Sequence, residues 1–157
     1  MPWPVPCLVR SLVQRVSSAS VRVDGKVVGN IGAGLLVFVG VADGDGPADL
    51  EYTASKIREM RVFADDQGRM NRSVVETGAA VLVVSQFTLL GDVRKGRRPA
   101  FDGAAAPDVA RARYDELVAR LKHDGLAVET GVFQAHMDVS LVNDGPVTSL
   151  LDSRRVF

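Results

Sequence analysis

The sequence predicts an α/β protein of the α+β type: a mostly antiparallel sheet or barrel with two helices packed on one side. Three observations predict it. About seven or eight β-rich runs outnumber two segments of helical period. The runs do not alternate with helices in the regular way of a doubly wound fold. Two of the runs are apolar throughout, which requires cover on both faces. At 157 residues the chain suits one domain, long enough to bury roughly two-thirds of its unfolded surface.

The first ten residues, "MPWPVPCLVR", carry three prolines in six positions and no continuous apolar stretch. They make a poor signal peptide and read as a flexible N-terminal extension, residues 1–10. The folded domain, residues 11–157, then begins near Leu12. "LVQRVSSASVRVD" (12–24) holds two short β-rich runs broken at Ser17-Ser18. Asp24-Gly25 signals a tight turn, with Lys26 to Ile31 as the returning strand. Gly32 and Gly34 bracket a bend before the apolar run "LLVFVGV" (35–41).

"DGDGPAD" (43–49) starts a helix with Pro47 in its first turn. Leu50, Ala54 and Ile57 lie at i, i+4 and i+7, so the helix runs to about Met60. "ADDQGRMN" (64–71) is turn-rich, and "AAVLVVSQFTLL" (79–90) reads as the second buried strand. Pro107-Asp108 opens the second helix, with Ala110, Tyr114, Leu117 and Leu121 on one face and Gly125 as its stop. Leu126–Thr130 and Met137–Val142 read as the last strands, and Asn143, Asp144, Gly145 and Pro146 should end the latter.

Composition narrows the function. Lys+Arg equals Asp+Glu at 19 each, so a charged partner must be met by a local patch rather than an overall field. The lone Cys7 excludes an internal disulfide framework and a cysteine-based zinc site. No apolar run approaches the ~18 residues of a membrane span. These features point to the cytoplasm.

The two histidines are weak candidates for acid–base work. His123 ends the second predicted helix, where a cation favours the helix dipole. His136 precedes the last long strand and reads as a surface residue. No Ser-His-Asp order, nucleophile elbow or metal-ligand cluster is visible. Neither metal nor cofactor is expected.

Two stretches remain. Ser85-Gln86-Phe87-Thr88 closes a buried strand with three hydrogen-bonding side chains and one aromatic ring. Polar capping of a strand end and the wall of a binding pocket both account for it. Arg94, Lys95, Arg97 and Arg98 then place four cations in five positions on a loop broken by Gly96. A charge run is ordinarily a solvated loop. This one adjoins the pocket residues, which suits a phosphate-bearing partner.

"LVQRVSSASVRVDGKVVGNIGAGLLVFVGV", "GRMNRS", "SQFTLLGDVRKGRRPAF" and "NDGPVT" together resemble the D-aminoacyl-tRNA deacylase family, in order and spacing, over roughly residues 11–150. The resemblance implies a homodimer of a compact, barrel-like fold that hydrolyses the ester between a D-amino acid and tRNA, without membrane or DNA as partner. Ser85, Gln86, Phe87 and Thr88 are implied as the catalytic stretch. Gly145-Pro146 is implied to be a cis peptide reaching into the partner subunit's site. There its carbonyls would face the substrate's α-ammonium and leave no room for an L side chain. Arg15 is implied to brace that loop, and Met137 and Asn143 to join the substrate-binding set. The cations at 94, 95, 97 and 98 are implied to meet RNA. Gln134 departs from the family pattern, which usually has a small residue there.

Two mechanisms stay open. Thr88 is the nucleophile, or the protein positions the ester while the ribose 2′-hydroxyl of the terminal adenosine activates water. The lack of a visible base beside Thr88 favours the second. Two other classes compete: a non-catalytic RNA-binding module, and a hydrolase of small esters or amides.

Overall fold

Asp24 and Gly25, with φ of 50° and 79°, form the tight turn that their sequence signals. The computed structural model that shows it describes residues 9–44 and 46–156. The turn joins β1 (Val9–Val23) to β2 (Lys26–Ile31), and β3 (Gly34–Val41) follows. Then come α1 (Pro47–Glu59), a small hairpin of β4 (Phe63–Ala64) and β5 (Met70–Arg72), and α2 (Val74–Thr77). The order closes with β6 (Ala80–Ser85), α3 (Pro107–His123), β7 (Ala127–Thr130) and β8 (Asp138–Asp152).

β1 organises the molecule. Along one edge its first half pairs with β3 and its second half with β2, while β8 runs antiparallel down the other edge. Beyond β3 the sheet continues through β6 and β7 in parallel. Each of those two steps needs a crossover, supplied by the α1–α2 segment and by α3. The sheet is therefore mixed. It is also nearly closed, because β2 and β7 come so near that a Cβ on Gly29 would lie 2.5 Å from the Thr130 carbonyl oxygen.

Two apolar layers hold this barrel. Inside it, Val16, Val21, Ile31, Leu36, Leu82 and Val84 pack together. Outside, Leu35, Val37, Val81 and Val83 meet Leu50, Ala54 and Ile57 of α1 and Tyr114, Leu117 and Leu121 of α3. β3 and β6 thus bury alternate side chains on opposite faces, which accounts for their unbroken apolar runs. In α1, Pro47 takes the first turn and the Asp49 carboxylate accepts the Gly46 N–H at 3.0 Å.

Several expectations need correcting. Ser17-Ser18 does not divide β1; the strand runs through, absorbing the irregularity as register shifts against β8 on either side of Val16. Val9 and Arg10, assigned to the extension, already belong to β1; residues 1–8 of that extension lie outside the described residues. A third helix, α2, joins the two expected, built on a capping box between Ser73 and Glu76. The strand expected over 79–90 stops at Ser85, and Phe87–Leu90 form a 3₁₀ turn.

Pro146 does not end β8 either. Val16 faces Asn143 and Gln14 faces Thr148, so four residues, 144–147, bulge out opposite Arg15 alone before pairing resumes. A bulge releases the backbone N–H that proline lacks from any duty in the ladder.

Candidate active site

The last sheet-like bond of β6 is made just beyond it, where Gln86 N–H donates to the Val39 carbonyl at 2.8 Å. The chain then winds into the 3₁₀ turn, with Leu89 N–H donating to the Gln86 carbonyl at 3.3 Å and Gly91 N–H to the Thr88 carbonyl at 3.1 Å. Phe87 and Thr88 open that turn, so their N–H groups have no acceptor within it. The winding also gathers side chains that an extended strand would send to opposite faces. Ser85, Gln86, Phe87 and Thr88 all line one cleft of about 1020 Å³.

Its other walls come from separate elements. Phe38, Val84 and Val139 supply strand side chains, Ala110 and Tyr114 the near face of α3, and residues 133–137 the loop before β8. Tyr114 is buried, and its hydroxyl donates to the Val83 carbonyl at 2.7 Å. Burial first, and the nearby Asp115 charge second, push the phenol well above its ordinary range, so it stays a neutral donor. Phe87 stands at the opening, 58% exposed, with its ring edge-on to Phe101 at 4.9 Å.

Acid–base groups are sparse. The Thr88 hydroxyl accepts a hydrogen bond from Gln86 Nε2 at 3.0 Å. His136 lines the mouth with its side chain 97% exposed, and its Nε2 lies 3.9 Å from Asp138 Oδ1. Among the described residues no three His, Cys, Asp or Glu side chains converge as metal ligands. His123 closes α3, at the helix end where the sequence puts it.

Met137 lines the cleft with the 85–88 stretch, whereas Arg15, Asn143, Gly145 and Pro146 do not line it. These four form a separate assembly on the β8 bulge. The Gly145-Pro146 peptide is cis, and Gly145 has φ of 146°, a conformation L side chains rarely adopt. Arg15 Nε donates to the Asp144 carbonyl at 2.9 Å and Nη1 to the Val62 carbonyl at 2.6 Å, tying the bulge to the segment before β4.

Asn143 binds the bulge from within. Its Oδ1 accepts Val147 N–H at 2.8 Å, and its Nδ2 lies 3.1 Å from each of Gln14 Oε1, the Val147 carbonyl and Thr148 Oγ1. The amide is fully engaged with its own chain, the pattern of a loop-holding residue.

The cations lie on a loop whose two legs lead back to the cleft. Asp92 and Ala100 exchange both backbone hydrogen bonds, at 2.7 and 2.9 Å, closing a hairpin with Arg94, Lys95, Arg97 and Arg98 exposed at its tip. Arg94 folds back on Asp92, Nε to Oδ1 at 2.9 Å and Nη2 to Oδ2 at 2.7 Å. Those bonds hold the Asp92 carboxyl far below the usual carboxylate range.

Phe38, Tyr114 and Phe133 are the cleft residues that sequence reasoning missed as such. Each is apolar or aromatic at a core-like spacing, so nothing in the pattern separates a wall from a core. Gln134 sits at the rim with φ of 65°. That left-handed conformation favours glycine over any residue with a Cβ.

The family model described as D-Tyr-tRNA(Tyr) deacylase matches residues 12–152. A protein of Anaeromyxobacter dehalogenans named D-aminoacyl-tRNA deacylase is 59% identical over 95% of this chain and all of its own length. One of Symbiobacterium thermophilum with the same name is 57% identical over 96% of this chain and 99% of its own. Among solved structures, one titled "c-Myc DNA Unwinding Element Binding Protein" superposes with a TM-score of 0.86 at 38% identity, covering 90% of this chain and 97% of its own. A probable eukaryotic D-amino acid tRNA deacylase shares the fold, with a TM-score of 0.78 at 21% identity over 92% of this chain and 99% of its own. The chain belongs to the D-Tyr-tRNA(Tyr) deacylase family.

Proposed function

We infer that this protein hydrolyses the ester linking a D-amino acid to tRNA, releasing both, and that the cleft around Ser85–Thr88 is where the ester is held. The observation that carries the reading is the 3₁₀ turn: it opens two main-chain N–H groups, at Phe87 and Thr88, beside a largely apolar cleft in a chain of this family. Such donors stabilise the oxyanion of a tetrahedral intermediate where water is scarce.

The attack is assisted by the RNA. An aminoacyl ester carries a free ribose hydroxyl next to the reacting carbonyl, which activates water without help from a protein base. In support, Thr88 has an amide rather than a base as its hydrogen-bond partner. Met137 shapes the cleft beside the reacting group, and Gln86 fixes the Thr88 hydroxyl. The test is a pair of reactions. Thr88→Ala should retain substantial turnover of D-tyrosyl-tRNA, and a substrate with a 2′-deoxy terminal adenosine should not be cleaved. A trapped acyl-Thr88 intermediate would overturn the assignment.

The protein acts as a homodimer in the cytoplasm, with the Gly145-Pro146 bulge of one subunit completing the cleft of the other. What supports this is that the bulge lies outside its own chain's cleft yet is braced by Arg15 and Asn143. Lys95, Arg97 and Arg98 contact phosphates near the acceptor end, and Arg94, bound to Asp92, orders the hairpin that presents them. A purely nucleic-acid-binding role is the second reading, favoured by the exposed Phe87 and by the DNA-binding name of one structural neighbour. Binding of tRNA without hydrolysis of its D-aminoacyl ester would select it.

A further inference from the structure

We propose that Arg10 is a positioning residue for the 3₁₀ turn Phe87–Leu90, fixed in place by the buried carboxylate of Asp152. The proposal rests on the assignment of that turn to ester hydrolysis and names what holds it in register. Asp152, Arg10 and Gly40 stand in one cross-strand row, on β8, β1 and β3. Arg10 Nη2 donates to Asp152 Oδ2 at 3.2 Å, and Nη1 to the Leu89 carbonyl of the turn at 3.2 Å. The guanidinium therefore bridges the end of β8 and the turn.

Its fixed end is well anchored. Asp152 is wholly buried, and its second oxygen accepts Arg154 N–H at 2.8 Å. Loss of Arg10 would leave a buried charge without its cationic partner on β1, which binds the guanidinium to that geometry. Arg10, unlike Lys, offers a planar fork that serves a carboxylate and a carbonyl at once.

The third member of the row completes the seat. A Cβ on Gly40 would fall 2.9 Å from the Gln86 carbonyl oxygen, 3.3 Å from Leu89 Cβ and 3.4 Å from Leu90 Cγ. The turn thus rests on bare backbone at Gly40 and is held by Arg10. Neither residue lines the cleft. Their effect runs through the direction of the Phe87 and Thr88 N–H groups, so it should fall on turnover and spare substrate binding.

The experiment combines kinetics on D-tyrosyl-tRNA with amide NMR and thermal unfolding, for wild type, Arg10→Met, Arg10→Lys and Gly40→Ala. Arg10→Met is expected to lower kcat about tenfold or more with KM within about twofold, and to move the amide resonances of residues 87–90. Arg10→Lys should recover part of the turnover. Gly40→Ala keeps the ion pair and disturbs the seat from its other side, so it should shift the same resonances and lower kcat even if Arg10→Met folds poorly. Unmoved resonances in both Arg10→Met and Gly40→Ala overturn the proposal. So does a rise in KM at unchanged kcat, or a kcat loss matching only the unfolded fraction. Failure of the wild type to cleave D-tyrosyl-tRNA would instead reject the functional assignment, while the resonances would still decide the seat.

Discussion

Gln134 holds a backbone angle that favours glycine over any residue with a Cβ. At φ of 65° its Cβ meets a steric cost of about 1–2 kcal/mol that glycine escapes. Glycine loses part of that advantage through its freer unfolded chain. Gln134→Gly is therefore expected to stabilise the protein by about 0.5–1 kcal/mol, read as a raised urea midpoint at unchanged slope. Asn143 carries a different lesson. The family resemblance implies contact with substrate for it, and its amide holds the adjoining bulge in shape. The bonds it makes add a supporting role, since one motif can hold both a presented group and its support.

At the level of elements, the hairpin and the helix pair each yield a prediction. Replacing Lys95 and Arg97 with glutamate should raise KM for D-aminoacyl-tRNA and flatten its salt dependence, with kcat little changed. Each lost phosphate contact removes about one counterion-release step. A collapse of kcat at constant KM would place these residues at the reacting centre instead. Between the helices, Arg58 of α1 reaches Asp124, just past α3, Nη1 to Oδ2 at 2.5 Å, and Arg120 Nε lies 3.3 Å from Oδ1. Burial works against the Asp124 charge, but the bonds from Arg58 and then Arg120 outweigh it and hold the carboxyl below its ordinary value near 3.8. A lowered folded value means that the contribution is complete above the unfolded value and fades as pH falls below it. Asp124→Asn should cost about 1 kcal/mol at neutral pH and give a shallower loss of stability below pH about 4. An unchanged acid limb in chemical denaturation would show that the clamp contributes nothing.

Which elements were legible follows from their physics. The apolar runs of β3 and β6 and the i, i+4 faces of α1 and α3 advertise burial directly, so they were read correctly. The turn at Phe87–Leu90 continues an apolar strand with "FTLL", and four residues carry no period that separates the two conformations. α2 is equally short, though Ser73 and Glu76 hold the spacing of a capping box. Gly145-Pro146 reads as a stop because proline cannot join a ladder, yet a bulge excuses it from doing so.

At the scale of the whole molecule, the cleft and the Gly145-Pro146 bulge are kept apart within one chain. The strand order makes this possible. β6 delivers the 3₁₀ turn at one place, and the bulge of β8, opposite Arg15 of β1, stands at another. Both features are visible as motifs; their separation is implied only by the family resemblance, because it follows from long-range pairing that local pattern does not encode. The separation supports the placement in a partner's cleft that the family resemblance implies. It also bears on chirality. If the carbonyls of Gly145 and Pro146 hold the substrate's ammonium, an L side chain points into the loop and a D side chain points away. Glycine has no Cβ to be refused. The most direct test is therefore one deacylation series on the wild-type protein with D-tyrosyl-, D-alanyl-, L-tyrosyl- and glycyl-tRNA. D-tyrosyl-, D-alanyl- and, to some extent, glycyl-tRNA should be hydrolysed, with L-tyrosyl-tRNA spared. Cleavage of the L substrate as readily as the D, or refusal of glycine while D-alanine is accepted, would contradict selection by main-chain exclusion.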